Sequence, residues 1–135
     1  MPTAGRTSVL YDKRAMGRDY VDLDCSFAPN GSSAVAATGN RGRGLYSVSR
    51  TGAGLFTLTF TDDFVALVAA TATVQFTTDA TDIYVQLGDF TAGTATARPT
   101  LKLRTMTATT PTDIAANANN RIFLKLTFRK GDITP

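Results

Sequence analysis

The sequence predicts an all-β fold, a single antiparallel β-sandwich or jelly-roll-like barrel of about seven to eight strands. Apolar and polar residues alternate with a period of two in several short segments, as in strands that bury one face. Turn residues separate these segments. The composition also favours strands, because the 135 residues include 23 Thr and no Glu. Thr suits a pleated, half-buried surface, whereas Glu is one of the better helix formers.

The chain divides into an extended arm over residues 1–19 and a β-sandwich domain over residues 20–135. The arm is rich in glycine and basic residues, and one short strand is expected within it around residues 8–11. Residues 20–27 form the next predicted strand, with an apolar face and a wet face. Proline, asparagine and glycine follow at positions 29–31 and predict the turn that ends it.

A β-hairpin is the clearest local prediction. Residues 46–50 and 56–60 each alternate between larger side chains and Ser or Thr. The connection at residues 51–54 contains two glycines, which adopt positive φ without steric cost. Residues 32–44, which precede the hairpin, are small and glycine-rich, so we expect a loop or a weak edge strand there.

One short helical turn is expected after the hairpin. Phe64, Leu67 and Val68 have the i, i+3, i+4 spacing of a helical face. No longer helical period occurs in the sequence. A long Thr-, Ala- and Asn-rich loop is expected at residues 107–120. Alternation predicts further strands at residues 70–77, 83–87, 101–104 and 122–129.

The apolar face of each predicted strand is expected to form the core. Complete burial of one large apolar side chain contributes about 1.5–3 kcal/mol. The predicted core residues are Val21, Leu23, Cys25, Phe27, Tyr46, Val48, Phe56, Leu58, Phe60, Val74, Phe76, Ile83, Val85, Leu87, Leu101, Leu103, Ile122, Leu124, Leu126 and Phe128.

Missing residue types exclude several kinds of chemistry. The chain has no His, so it has no Ser-His-Asp or Cys-His machinery and no His-ligated zinc. Its single cysteine permits no intrachain disulfide and no Cys-x-x-Cys pair, and it fits synthesis in a reducing cytoplasm. No secretory signal and no membrane span are expected. We therefore predict no enzyme activity, no catalytic residue, no cofactor and no metal site.

Three groups of residues were candidates for a more specific role. Asp22 and Asp24 share one strand face and offer two carboxylates for glycoside hydrolysis, although a solvated face is the favoured interpretation. Cys25 lies on the apolar face, where a buried hydrophobe is favoured over a nucleophile. Threonines on the outer strand faces offer a flat binding surface, or they simply reflect β propensity.

The positive charge is localised. Residues 1–50 contain seven Lys or Arg and four Asp, a net charge of +3, whereas residues 51–135 contain seven of each sign. An ordinary solvated surface is one interpretation, and an arm that docks on an acidic partner is the other. The sequence contains no dense cluster of basic residues, so it does not indicate a nucleic-acid partner. The predicted docking residues are Arg6, Leu10, Tyr11, Lys13, Arg14 and Arg18.

Two segments resemble small structural proteins of tailed bacteriophages. They are residues 44–60, GLYSVSRTGAGLFTLTF, and residues 112–122, TDIAANANNRI, and the weaker similarity extends over about residues 20–130. The resemblance is greatest to capsid decoration, or cement, proteins. It implies a virion protein on the capsid surface, made in the bacterial cytoplasm. It also implies a homotrimer whose partner is the major capsid protein. No motif of known catalytic meaning carries the resemblance.

The sequence leaves other functions open. A tail- or fibre-associated domain that contacts the host surface is the main alternative. A polysaccharide hydrolase that uses Asp22 and Asp24 is another, and a lectin-like module is a third. Neither nucleic acid nor a membrane is expected as a direct partner.

Overall fold

A computed structural model describes residues 20–77, 82–117 and 119–130 of the chain. These residues form eight strands and one 3-10 turn, Ala37–Gly39. The strands are Tyr20–Phe27 (β1), Leu45–Gly52 (β2), Leu55–Phe60 (β3), Phe64–Gln75 (β4), Ile83–Thr91 (β5), Thr100–Thr107 (β6), Thr110–Pro111 (β7) and Arg121–Lys130 (β8).

The strands form two antiparallel sheets around one core. The first sheet has three strands in the order β1-β8-β4. The second has the order β2-β3-β6-β5, and the short strand β7 pairs with β6. The all-β fold of about eight antiparallel strands is therefore confirmed, as is the β2–β3 hairpin.

The register of the three-stranded sheet shows why alternation specifies its two faces. Leu23 on β1 lies opposite Leu126 on β8, and Phe27 lies opposite Ile122. All four side chains are buried. The intervening residues of both strands point away from the core, so β8 presents Phe123 and a series of polar side chains on the outer face. A shift of one residue would exchange the two sets, so burial of the apolar set fixes the register.

Four phenylalanines connect the two sheets. Phe128 on β8 stacks on Phe64 of β4, with ring centroids 4.3 Å apart and an interplanar angle of 6°. Phe60 on β3 meets Phe128 edge-on at 4.9 Å, and Phe90 on β5 lies 5.5 Å from the same ring. These contacts join four strands around Phe128, which is completely buried.

Most of the predicted core residues contact this core. Thirteen of them are buried: Leu23, Cys25, Phe27, Val48, Phe56, Leu58, Phe60, Leu101, Leu103, Ile122, Leu124, Leu126 and Phe128. Six are partly buried and pack against it: Val21, Val74, Phe76, Ile83, Val85 and Leu87. The core also includes Phe64, Met106 and Ile114, which the alternation did not select.

Tyr46 was wrongly predicted to be in the core. Its side chain is 56% exposed, and the Arg98 guanidinium lies over its ring at 4.1 Å. The β2–β3 register shifts between Leu45 and Ser47. This bulge places one extra residue on β2, so Leu45 packs against the core while Tyr46 points outward.

The helical turn predicted at Phe64–Val68 was also wrong, since these residues begin β4. The pairing of β4 with β8 shifts between Phe64 and Ala66 and again between Leu67 and Ala69. Because each bulge displaces the period-two alternation by one residue, Phe64 and Leu67 both face the core at a spacing of three. The first bulge thus reproduces the i, i+3 spacing of a helical turn, while Val68 is 53% exposed.

Other local predictions have mixed outcomes. Residues 32–44 form a loop with one 3-10 turn and an isolated bridge between Ser26 and Arg41. The long loop predicted at residues 107–120 includes the short strand β7. The strand predicted at residues 8–11 lies outside the described residues.

One side of the sandwich is incompletely covered. Strands β4 and β5 each lie at the end of a sheet, and Val68 on β4 is 53% exposed. By contrast, the inward side chains of the inner strands β3, β6 and β8 are almost completely buried. The hydrophobic residues of β4 and β5 that pack against the core but stay partly exposed are Leu67, Ala72, Val74, Ile83, Val85, Leu87 and Phe90. We call this surface the open side.

Candidate functional site

A groove with an aromatic floor lies on the outer face of the three-stranded sheet. Phe123, on the central strand β8, is 41% exposed. Ser26 on β1 and Thr73 on β4 lie opposite it, and both are much smaller than the ring. The groove beside the ring has a volume of about 380 Å³. It is lined by Asp24, Cys25, Ser26, Arg41, Gly42, Thr71, Thr73, Phe123, Leu124 and Lys125.

The polar groups of the groove differ in charge. Asp24 accepts a hydrogen bond from Lys125 Nζ at 3.3 Å, and both side chains are 74% exposed. An ion pair as exposed as this one contributes little to stability. Arg41 has no carboxylate within ion-pair distance among the described residues. The groove therefore offers one carboxylate that accepts hydrogen bonds and two cations that donate them.

The wall of the groove is held in place by a buried arginine. Arg121 is only 8% exposed, and its Nη1 donates to Ser26 Oγ at 2.9 Å and to the Gly39 carbonyl at 2.8 Å. Burial lowers the pKa of Arg121 from its ordinary value, and the nearby charge of Arg41 lowers it further. The arginine thus ties the 3-10 turn to β1 through neutral acceptors.

Two further features bring the wall close to β1. The backbone amides of Ser26 and Arg41 each donate to the other's carbonyl, at 2.9 and 2.8 Å. Gly42 has a φ of +112°, and a Cβ there would lie 2.5 Å from the Asp24 carbonyl oxygen. Only glycine fits this approach, because a side chain would meet the β1 backbone.

The two carboxylates considered for hydrolysis lie on this same outer face. Asp22 accepts a hydrogen bond from Thr127 Oγ1 at 2.7 Å, while Asp24 is paired with Lys125. Each carboxylate is thus bound to a side chain of the neighbouring strand β8.

Cys25 lies behind the groove, in the core. Burial raises the pKa of its thiol from 9.0 to about 11, and the Asp24 carboxylate adds to the rise. The thiol is therefore protonated at neutral pH, whereas a nucleophilic cysteine needs its thiolate. This is the environment of a small buried hydrophobe.

The two segments that carry the phage resemblance are joined by one carboxylate. Asp113, in the second segment, accepts hydrogen bonds from Arg50 Nε at 3.0 Å and Arg50 Nη2 at 2.7 Å. Its Oδ1 also accepts from the Gly54 amide at 2.8 Å. The Arg50 hydrogen bonds are the main cause of the lowered pKa of Asp113. This clamp fixes the loop before β8 to the β2–β3 hairpin, so these motif residues have a structural role.

The predicted docking residues Arg6, Leu10, Tyr11, Lys13, Arg14 and Arg18 lie outside the described residues. Within the described ranges, no group of three or more Cys or Asp side chains is placed to hold a metal ion. No helix of that part of the chain is long and apolar enough to cross a membrane.

Comparison of the chain with protein-family models, with curated proteins and with solved structures gave no match.

Sequence reasoning did not identify the groove as a site. It placed Phe123 on the outer face of the last strand, where an aromatic residue among polar ones was the available signal. Arg41 and Arg121 are 80 positions apart in the sequence and meet only through the loop that crosses β1. No spacing rule connects them.

Proposed function

We propose that this protein is a structural component of a tailed-bacteriophage virion that decorates the head. In this role it binds the outer surface of the major capsid protein shell and stabilises it by burying surface across subunit junctions. The resemblance of residues 44–60 and 112–122 to phage structural proteins supports this proposal. The hydrogen bonds from Arg50 and Gly54 to Asp113 hold these two segments together in the fold.

The observation that carries the proposal is the open side of the sandwich. Apolar side chains of β4 and β5 that pack against the core remain partly exposed there. We take these partly exposed apolar side chains as a contact with another protein chain, since exposed apolar surface is a feature of such contacts. A protein that acts within an assembly has such a surface, since assembly completes the burial.

The open side is also the proposed contact between copies of the chain, which assemble as a homotrimer. Strands β4 and β5 lie at sheet ends, where backbone groups are free to pair with another chain. From Phe64 to Gln75, β4 contains no charged residue and no proline, the usual means of blocking such pairing.

The arm is the proposed anchor on the capsid. Arg6, Lys13, Arg14 and Arg18 supply positive charge for an acidic surface, and Leu10 and Tyr11 supply apolar contacts. An extended segment loses conformational entropy when it docks, so it needs several anchors to bind stably. Arginine suits such anchors because its guanidinium pairs with carboxylates in a bidentate geometry.

The proposal is tested by adding purified protein to capsids that lack it and measuring the bound fraction by sedimentation. Full-length protein is expected to saturate the shell at a fixed ratio. A variant without residues 1–19 is expected to lose most of this binding while it keeps its fold. Binding that is undiminished by the deletion would refute the anchoring role of the arm. Absence of saturable binding by the full-length chain would refute the decoration function.

A second test addresses the open side. Val74→Asp places a charge on this surface and is expected to shift the folded protein from trimer to monomer in light scattering after size exclusion. Thr71→Asp, on the outer face of the same strand, is the matched control and leaves the oligomer unchanged. A folded Val74→Asp variant that keeps the oligomer would remove the open side as the contact.

A tail- or fibre-associated domain that contacts the host surface is the second candidate. The exposed groove around Phe123 favours it, since a ligand site on an outer face is accessible from solution. Copy number distinguishes the two: hundreds of copies per particle indicate the shell, and a few copies indicate the tail.

A further inference from the structure

We infer that the groove beside Phe123 binds an acidic saccharide unit, a pyranose that carries a carboxylate. The sugar ring packs on Phe123, its carboxylate pairs with Arg41, and its hydroxyls bond to Asp24 and the threonines. The residues that line this site belong neither to the arm nor to the open side, so the inference does not depend on the proposed capsid function.

The aromatic floor supplies the first requirement. Phe123 is the only phenylalanine among the outward-facing residues of β8, and its ring is flanked by Ser26 and Thr73. The small neighbours leave an apolar surface at the centre of a polar face. The C–H face of a pyranose covers an aromatic ring of this kind and leaves its hydroxyls at the rim.

The charges supply the second requirement. Arg41 lines the groove without a carboxylate partner among the described residues. A guanidinium in this position pairs with a ligand carboxylate through two parallel hydrogen bonds. Asp24 lies on the same groove and accepts hydrogen bonds only, so beside its bond from Lys125 it has capacity for donors of a ligand. An acidic sugar has both the carboxylate for Arg41 and the hydroxyls for Asp24.

A nucleic acid meets these requirements less well. Single-stranded DNA binds on several aromatic rings along a positively charged track. This face presents two exposed aromatic side chains, Phe123 and Tyr20, and its cations alternate with Asp22 and Asp24. The phosphates of DNA also carry a negative charge at every nucleotide and offer no hydrogen-bond donor to a carboxylate, so Asp22 and Asp24 would repel them. The mixed signs of the groove therefore favour a ligand that is mostly neutral and carries an isolated acid.

The groove is built before any ligand arrives. Its volume of about 380 Å³ falls within the range of small-molecule sites, about 300–1,000 Å³. Arg121 and the Ser26–Arg41 backbone pair hold the wall on β1. Because these bonds already order the loop that carries Arg41, binding does not incur the entropic cost of ordering it.

The test is a titration of the ¹⁵N-labelled full chain with sodium glucuronate, followed by NMR. Glucose and a ten-residue oligothymidylate are titrated in parallel at the same ionic strength. Saturable shifts are expected for glucuronate at Ser26, Arg41, Thr73 and Phe123. Glucose is expected to bind more weakly, and the oligonucleotide is expected to produce no saturable shift at these positions.

Three variants separate the contacts. Phe123→Ala is expected to weaken glucuronate binding by about tenfold or more. Arg41→Gln is expected to remove the preference for glucuronate over glucose, because the backbone bridge to Ser26 persists while the cation is lost. Tyr46→Ala removes a comparably exposed aromatic residue from the other sheet and leaves binding unchanged.

Several results would overturn the inference. One is the absence of saturable shifts with glucuronate at concentrations up to its solubility in the buffer. Another is equal affinity in Phe123→Ala and wild type, with both proteins folded by their amide spectra. Tighter binding of the oligothymidylate than of glucuronate would assign the groove to nucleic acid instead.

Discussion

The same substitution at two phenylalanines of strand β8 is expected to lower stability strongly at one position and hardly at the other. Phe128 faces the core and is completely buried, whereas Phe123 faces outward and is 41% exposed. Leucine retains much of the apolar character of phenylalanine but loses its ring. Phe128→Leu therefore measures the aromatic core, and Phe123→Leu is its matched control on the same strand.

The magnitude for Phe128→Leu follows from its three ring contacts. These are the stack on Phe64 at 4.3 Å, the edge-on contact with Phe60 at 4.9 Å and the tilted contact with Phe90 at 5.5 Å. An aromatic pair contributes about 0.5–1.5 kcal/mol beyond its buried area. After partial relaxation of the cavity, we expect a loss of about 2–3 kcal/mol in the free energy of unfolding. Phe123→Leu is expected to change it by less than about 0.5 kcal/mol.

Urea denaturation monitored by circular dichroism measures both values. For a domain of this size, an m-value of about 2 kcal/mol per molar urea converts the expected loss into a midpoint shift of about 1–1.5 M. The m-value itself should stay constant, which shows that the variants differ in stability and not in the extent of unfolding. Equal midpoint shifts for the two variants, or a larger shift for Phe123→Leu, would refute the register that places Phe128 inside.

Three further outcomes follow from the site and its supports. Asp113→Asn is expected to lower the free energy of unfolding at neutral pH. Because Arg50 depresses the folded pKa of Asp113, the contribution is complete above the unfolded pKa of about 3.9 and is lost as the pH falls through the folded pKa. The difference between wild type and Asp113→Asn in urea denaturation should therefore shrink in acid, and a difference independent of pH would contradict the clamp. Gly54→Ala is expected to destabilise by more than about 1 kcal/mol, seen as a lower thermal midpoint, because Gly54 has a φ of +64° and a Cβ there would lie 2.5 Å from the Thr112 amide nitrogen. Cys25 is expected to resist a thiol reagent at pH 8 until the protein is denatured, since burial raises its pKa to about 11; rapid reaction of the native protein would show that the cysteine is accessible.

The strands could be predicted from alternation, but bulges could not. Phe56, Leu58 and Phe60 alternate without interruption on β3, and all three are buried as the period of two requires. The predictions of a buried Tyr46 and of a helical turn at Phe64–Val68 failed for a common reason. A bulge adds one residue to a strand and reverses the faces beyond it, and its position depends on the partner strand.

The site was less predictable than the fold, because its parts come together through pairing between distant segments. Phe123 becomes the floor of a groove only when β1 and β4 place Ser26 and Thr73 on either side of it. Arg121 continues the same strand face, yet it is buried because the loop over β1 covers it. No local sequence pattern specifies the strand register or the path of this loop. The arm was predicted from charge, and its residues lie outside those described.

Strand β4 is shared by the two surfaces proposed to act. Thr71 and Thr73 line the groove on the outer face, while Ala72 and Val74 belong to the open side. Because successive side chains of a strand point to opposite faces, a subunit that covers the open side leaves the groove accessible. We therefore expect glucuronate to bind the assembled protein as tightly as the isolated chain, and a loss of binding on assembly would show that the two surfaces overlap.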